Sequence, residues 1–260
     1  TKEGGPAMSN YLTENLRTVA LVGHSASGKT SLVEAMLVRT GAIAEAGSVE
    51  RGNTVCDNDP QEKAVGHSLR MAVAHIDTAM PDLTPVRIHV IDTPGGPDYV
   101  GQALSALDAV KSVAVVVDAT KGIELMTRRM MQWAEERGLC RVIVVNIPTK
   151  GCTRVIDCFD KDSGESDIMT VSDVHRAFIE RVVEVDDETM EKYLEEGDVD
   201  PSTLHGPVTK ALREAHVIPV CFTSAKNLIG IRDFMKVIIR HLPSPSEAND
   251  AQFIDKEGAP

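Results

Sequence analysis

Aromatic side chains are scarce in this chain: Trp, Tyr and Phe together make up 3% of its 260 residues. A core that cannot draw on rings must be filled by Val, Ile, Leu, Ala and Met, as where a sheet is covered by helices. A basic excess is also missing. Lys and Arg number 27 against 39 Asp and Glu, a formal net charge of −12, which argues against an autonomous nucleic-acid-binding surface. No stretch reaches the run of about 18 apolar residues that a membrane-spanning helix requires. The five cysteines, Cys56, Cys140, Cys152, Cys158 and Cys221, form no CxxC pair and no metal-ligand spacing. Cys140 and Cys221 lie in or beside apolar runs and read as buried thiols. With no signal-peptide pattern, this usage predicts a reducing, cytoplasmic setting.

What is present is an alternation of apolar runs and helical patterns. Strands are expected over 18–22, 68–77, 86–91, 112–117, 141–146 and 217–223. Helices are expected over 30–39, 101–109, 124–137, 172–183, 187–195, 206–215 and 229–241. Several strands are continuous Val/Ile runs, the mark of strands covered on both faces. The order predicts an α/β fold, a mostly parallel sheet with helices on both faces. The acidic run 184–196 interleaves with Met190, Tyr193 and Leu194 at helical spacing, which fits a helix with a solvated face. Residues 1–15 read as a flexible leader, and the stretch after Leu242-Pro243-Ser244-Pro245 reads as a linker.

One motif carries phosphate chemistry. Gly23-His24-Ser25-Ala26-Ser27-Gly28-Lys29-Thr30 follows an apolar strand and opens onto a helix beginning Ser31-Leu32, which is the GxxxxGK[ST] phosphate loop in its required context. Its glycines let backbone N–H groups converge on phosphate oxygens, and the helix start adds a positive dipole end. Lys29 would neutralise the β and γ phosphates, and the Thr30 hydroxyl would ligate Mg2+. Downstream, Ile91-Asp92-Thr93-Pro94-Gly95 closes a strand. Asp92 stands where such a fold holds magnesium, usually through water, and the Gly95 N–H can meet a γ phosphate.

Phe222-Thr223-Ser224-Ala225-Lys226 follows another apolar run, and at this point the chain resembles the GTP-binding domain of translational GTPases, elongation factor G and its elongation-factor-G-like relatives in particular. The resemblance extends through Met190-Glu191-Lys192-Tyr193-Leu194, the stretch Gly206-Pro207-Val208-Thr209-Lys210 and the Leu242-Pro243-Ser244-Pro245 end. It implies a P-loop G domain over 16–243, binding GTP or GDP with Mg2+. Ser224, Ala225 and Lys226 would contact the base together with Asn146. Gly66-His67-Ser68-Leu69 aligns with the family's first switch and puts Ser68 on the metal beside Thr30 and Asp92. Lys29, Gly95 and Ser68 become the candidate catalytic residues. By the same resemblance the ribosome is a partner, and 244–260 leads toward further domains of a longer chain.

Three departures from the family stand out. The guanine-reading motif Asn-Lys-x-Asp is here Asn146-Ile147-Pro148-Thr149, so the carboxylate acceptor is missing; Asp157 or Asp160 are candidate substitutes. The residue after the Asp-Thr-Pro-Gly run, used in the family to place the attacking water, is Gly96. Tyr99 reads as packing, and His67 adjoins the first switch. The insertion that elongation factor G carries is reduced here to 151–186. These departures keep a second reading open, a nucleotide-binding module with little or no hydrolysis. A P-loop phosphotransferase with adenine preference fits the motifs less well.

Overall fold

A computed structural model of the chain describes residues 11–80, 82–141, 146–158, 161–196, 199, 203–214 and 217–247. Its framework is a five-stranded sheet. β1 (Leu16–Val22) lies at the centre, flanked by β3 (Pro85–Asp92) and β4 (Ser112–Val115), both parallel to it. The short β5 (Cys140–Arg141) adds in parallel to β4, and β2 (Ala72–Ala79) pairs antiparallel with β3 to form the other edge. The expectation of a mostly parallel sheet is met.

The central strand shows why both faces need cover. Val19 and Leu21 join a cluster with Leu32, Val33 and Met36 of α1 (Lys29–Arg39) and with Ile238 of α8 (Ile231–His241). Ala20 and Val22 point the other way, into Ala103 and Leu107 of α3 (Val100–Ala109) and Met130 of α4 (Leu125–Glu136). Alternating side chains of one apolar strand therefore feed two separate cores. α5 (Val171–Val183) and α7 (His205–Arg213) extend the first cluster through Val182 and Leu212, while Met190 and Tyr193 of α6 (Asp187–Glu196) pack on its margin. Leu194 turns to solvent instead, 75% exposed. On α8, Ile231, Phe234, Met235 and Ile238 are buried at helical spacing, which leaves Arg232, Lys236 and Arg240 on the opposite stripe.

Several boundaries differ from their expected places. The strand expected over 68–77 starts only at Ala72, because the N–H groups of Leu69 and Arg70 both donate to the Glu62 carboxylate, 2.9 Å each, rather than to a neighbouring strand. Glu62 sits on α2 (Pro60–Val65), a short helix absent from the sequence expectation. Of the strand expected over 141–146, residues 142–145 lie outside the described residues; Arg141 belongs to β5, and Asn146 opens a hairpin in which β6 (Asn146–Pro148) pairs antiparallel with β7 (Val155–Asp157). Over 217–223 the described structure holds a single bridge at Val220 and no named strand, beside Pro219, which has no N–H to give a ladder. Cys56 and Cys158 are buried, Cys221 is half-buried against the first core, and the side chain of Cys140 lies outside the described residues. Among the described residues, no helix is long and apolar enough to cross a membrane.

The parallel strands end together at one edge of the sheet, and the loops leaving β1 and β3 meet there. The Thr93 hydroxyl donates to the Leu21 carbonyl across 2.7 Å and ties the two exits together. Because Ile88 is fully buried between β1 and β2, Ile88→Ala is expected to lower unfolding free energy by about 2–5 kcal/mol, measured as a reduced urea midpoint with an unchanged slope.

Candidate nucleotide-binding site

The loop leaving β1 bends through two glycines that no other residue could replace without strain. Gly23 has φ 145° and Gly28 has φ 92°. A Cβ on Gly23 would also run into the Val116 carbonyl. Ala26, at φ 59°, takes the left-handed region with a side chain in place. Gly28 is the N-cap of α1, so Lys29 and Thr30 begin the helix facing inward. The Lys29 amine donates to the carbonyls of His24 at 2.8 Å and Gly23 at 3.2 Å, and to the Ser27 hydroxyl at 3.3 Å. Burial pushes its pKa down to about 8, against the opposing pull of Asp92. A buried cation is thus held at the loop mouth by neutral oxygens, with only one carboxylate nearby in support.

His24 locks the loop from behind. It is 1% exposed; Nδ1 lies 2.8 Å from the Ser25 carbonyl, and Nε2 accepts the Asp118 N–H at 3.3 Å. Those two bonds together assign the proton to Nδ1. The contact with Ser25 is local, and the bond to Asp118 ties the loop to the chain beyond β4.

Asp92, at the end of β3, stands across from Thr30. The Thr30 hydroxyl donates to Asp92 Oδ2 at 2.6 Å and lies 3.4 Å from the Ser68 hydroxyl. Burial raises the Asp92 pKa to about 6, while the Thr30 bond and Lys29 act to lower it. Its second oxygen, Oδ1, is buried with no hydrogen-bond partner, which marks an acceptor waiting for a ligand. Thr30, Ser68 and this orphan oxygen form an all-oxygen donor set that suits a hard cation such as magnesium. Among the described residues no three His, Cys, Asp or Glu side chains converge on a metal position, so water and phosphate oxygens would complete its shell.

Three carboxylates that sequence reasoning did not single out shape the segment 47–70: Glu34 of α1 ties it to the domain, while Asp57 and Glu62 lie within it and bond its own groups. Ser68 donates to Asp57 Oδ1 at 2.8 Å, and Thr54 donates to Oδ2 at 2.8 Å. Glu34, 1% exposed on α1, accepts the N–H groups of Gly47 and Val55 at 2.6 Å each. Glu62 accepts those of Leu69 and Arg70. Asp59-Pro60-Gln61-Glu62 does carry a legible signal: Asp59 caps Gln61 N, and Glu62 returns to Asp59 N, a complete capping box with proline at the first turn. Asp57 and Glu34 have no such local signature.

The result is a cleft of about 340 Å3, lined by residues of the 25–31 loop together with Glu50, His67, Ser68, Thr93 and Gly95. Gly95 has no space for a side chain. A Cβ there would lie 2.5 Å from the His24 carbonyl and 2.6 Å from the Lys29 amine. Gly96 next to it offers no functional group, and the rings of His67 and Tyr99 stand 6.1 Å apart nearby.

The base-reading residues are not among those lining this cleft. The Asn146 side chain lies outside the described residues, and its backbone belongs to the β6–β7 hairpin. Thr149 spends its hydroxyl inside that hairpin, donating to the Arg154 carbonyl and accepting the Arg154 N–H, 3.2 Å each. Asp157 is bonded by the Lys236 amine at 2.5 Å, which removes it as a ready substitute acceptor, and Asp160 lies outside the described residues. Ser224 closes a tight turn with Ile229 through reciprocal backbone bonds of 2.9 and 3.1 Å, and Ala225 and Lys226 ride on that turn.

Comparison with known proteins decides the family. The profile of the elongation factor Tu GTP-binding domain matches residues 14–244. The chain belongs to this family of translational GTPase G domains. This G domain is 27% identical over 286 residues to an elongation factor G-like protein of Mycobacterium tuberculosis, covering 94% of the chain and 39% of that protein. It is 26% identical over 279 residues to elongation factor G of Thermotoga petrophila, covering 89% of the chain and 39% of that protein. A crystal structure of a Thermus thermophilus protein superposes with a TM-score of 0.78 at 30% identity, covering 89% of this chain and 41% of that one. The chain thus spans about two fifths of the length of these relatives.

The G domain's 47–70 segment should depend on its buried carboxylates. Glu62→Ala removes the acceptor for Leu69 N and Arg70 N, each bond to a charged group being worth about 1.5–3 kcal/mol. Hydrogen exchange at those two amides is expected to accelerate at least tenfold, with the sheet amides of β1 and β3 unchanged.

Proposed function

We propose that this G domain is the GTP/GDP-binding switch of an elongation-factor-G-like translation factor, and that it hydrolyses GTP to GDP in connection with the ribosome, in a cytoplasmic setting. In this reading 16–243 form the switch domain, 151–186 a shortened insertion, and 244–260 a connection toward further domains. The observation that carries it is the buried Lys29 amine, seated on the loop carbonyls beside the Thr30–Asp92 pair and facing the cleft.

The roles follow from what each group has to offer. Lys29 exchanges its bonds to the Gly23 and His24 carbonyls for the stronger charge-assisted bonds of the β and γ phosphates. Backbone N–H groups of the loop Gly23-His24-Ser25-Ala26-Ser27-Gly28, continuing into Thr30 and Ser31, would turn to the same oxygens, the Ser27 N–H giving up its 3.3 Å bond to the His24 carbonyl. Thr30, Ser68 and Asp92 would hold Mg2+, which when bound neutralises charge on the phosphates. The N–H of Gly95 meets the γ phosphate, so loss of that phosphate is felt at β3. Asn146, Ser224, Ala225 and Lys226 serve the guanine side. Thr149 carries no charge and bonds within its own hairpin, so guanine preference should be weaker than a carboxylate would give, by roughly one to two decades on the strength of a charged-acceptor bond.

Gly96 favours a second reading, a module that binds nucleotide and acts through a protein partner with little turnover, since placement of water is a large part of this chemistry. Single-turnover phosphate release with and without ribosomes separates the two: ribosome-stimulated release supports the switch reading, and its absence supports the binding module.

Titration with GTP, GDP, ATP and ADP in magnesium tests the shared premise. GTP and GDP are expected to bind more tightly than their adenine counterparts, and equal affinities would overturn guanine selectivity. Lys29→Ala should weaken GTP binding by at least about 100-fold, or about 2.7 kcal/mol, while leaving the thermal midpoint within a few degrees of the parent.

A further inference from the structure

One face of the β2–β3 pair stays open to solvent. Across it three residue pairs stand in register: Val73 with Ile91, His75 with His89, and Asp77 with Arg87. These side chains point away from Ala74, Ile76, Ile88 and Val90, which fill the first core. Val73 is 56% exposed and His75 and Asp77 are exposed, while Arg87, His89 and Ile91 are half-buried. Two of the three pairs have evident reasons. Val73 and Ile91 are an apolar match, and Ile91 reaches the margin of the second core. Asp77 and Arg87 form an ion pair through two bonds of 2.7 and 2.9 Å, and the guanidinium lies 4.7 Å from the centre of the Tyr11 ring. The middle pair has no such reason. Two like ionisable groups placed directly opposite repel when both are charged, and threonine or valine would suit a solvent-facing ladder position better.

The two imidazoles are aimed at each other. Their Nδ1 atoms stand 3.1 Å apart, with ring centres 5.0 Å apart and ring planes at 81°. With one proton in the gap, one Nδ1 donates and the other accepts. With both protons on the Nε2 atoms, two lone pairs meet across the same gap. Burial first, then the charges of His75 and Arg87, hold His89 below the ordinary histidine range, against the opposing pull of Asp77. At neutral pH it is therefore in the uncharged form, the one that ligates metals. For Zn–N bonds of about 2.0–2.1 Å, nitrogens 3.1 Å apart subtend about 100° at the metal, within reach of a tetrahedral angle. Asp77 adds no third ligand while Arg87 holds both of its oxygens, and no group of three such side chains converges among the described residues. Water would fill the remaining places, which the exposure of His75 allows.

We propose that His75 and His89 form a two-histidine clamp for a late first-row divalent cation such as Zn2+, separate from the phosphate site. Donor chemistry keeps the two sites apart. Imidazole nitrogens take Zn2+, Ni2+ or Cu2+, whereas the oxygens of Thr30, Ser68 and Asp92 suit Mg2+. The Arg87 charge on the same face works against a cation, and its bonds to Asp77 offset much of that effect. A metal held here would join β2, which follows the 47–70 segment, to β3, which ends at Asp92. Its occupancy would stiffen a hairpin that reaches the phosphate site without entering the site itself.

The test titrates the whole chain with Zn2+ by calorimetry near neutral pH, in excess Mg2+ so that the oxygen site is supplied. A Cys152→Ser background removes the exposed thiol as a competing ligand. The expected result is one Zn2+ per chain, bound more weakly as pH falls through the histidine range, since protons compete for the same nitrogens. His75→Gln and His89→Gln should each weaken binding by at least about tenfold. Zn2+ should raise the thermal midpoint of the parent and leave that of either variant where it was. In the parent, Zn2+ should shift the ring resonances of His75 and His89 together and leave those of His67 in place. A metal-free circular-dichroism melt equal to the parent's shows that a variant is folded, and His75→Gln, at an exposed position, decides the matter if His89→Gln is not. Absence of zinc binding would overturn the proposal, as would equal affinity in the parent and the variants. One zinc per two chains, with dimers in sedimentation, would also overturn it by making the metal a bridge between copies.

Discussion

The Thr30 hydroxyl reaches Asp92 across 2.6 Å, and this bond joins the start of α1 to the end of β3. Everything that faces the phosphate cleft is positioned relative to that junction. β1 and β3 are adjacent and parallel, so their exits are brought side by side; the Thr93 bond to the Leu21 carbonyl fixes their separation. Lys29 precedes Thr30 and Gly95 follows Asp92 within the same few ångströms, close enough that a methyl group on Gly95 would collide with the lysine amine. The site is built by two strand ends held in register and depends little on the loops alone. The raised pKa of Asp92 and the lowered pKa of Lys29 are two sides of one arrangement, each charge being deprived of water more than it is compensated by its neighbour.

A second layer of carboxylates surrounds that junction. Glu34, Asp57 and Glu62 accept from backbone or hydroxyl groups of the 47–70 segment rather than from arginines or lysines. Of the three, Glu34 on α1 ties the segment to the body of the domain, while Asp57 and Glu62 belong to the segment and brace it from within. The segment is therefore held by a few directional bonds, each of which can be broken separately, in contrast with the broad apolar packing beneath α1 and α8. That division suits a region whose position reports on what occupies the cleft.

The sequence made some of this plain and left some of it hidden, and the boundary follows the range of the interactions. The phosphate loop was legible because its demands are local: two glycines at positive φ, then Lys29 and Thr30 at a helix start. The two-faced sheet was legible in continuous Val/Ile runs. Glu34 and Asp57 were not, since nothing in their neighbours' spacing tells a carboxylate that captures a distant N–H from one that faces solvent. Glu62 lay between these cases, for its capping box with Asp59 was readable while its bonds to Leu69 and Arg70 were not. The apolar 217–223 run reads as a strand, and a single bridge at Val220 is what the described residues hold of it. Asn146 reads as the end of a sheet strand, yet its backbone pairs with Asp157 in a hairpin of its own.

The order of the strands has a consequence for how the domain is made. The strand that lies in the middle of the sheet is the one nearest the start of the described chain, with Leu16 opposite Arg87 and Val19 opposite Ser112. As the chain emerges from its own synthesis, at roughly 5–20 residues per second, β1 is complete while both of its neighbours are still unmade. The hairpin of β2 and β3 has a short connection and can close early; the parallel pairings must wait for long loops to be drawn in. The face carrying Val19 and Leu21 can meet α1 early, but the face carrying Ala20 and Val22 waits for α3 and α4. Nascent-chain vulnerability is thus concentrated in the segment that later becomes the best protected part of the molecule.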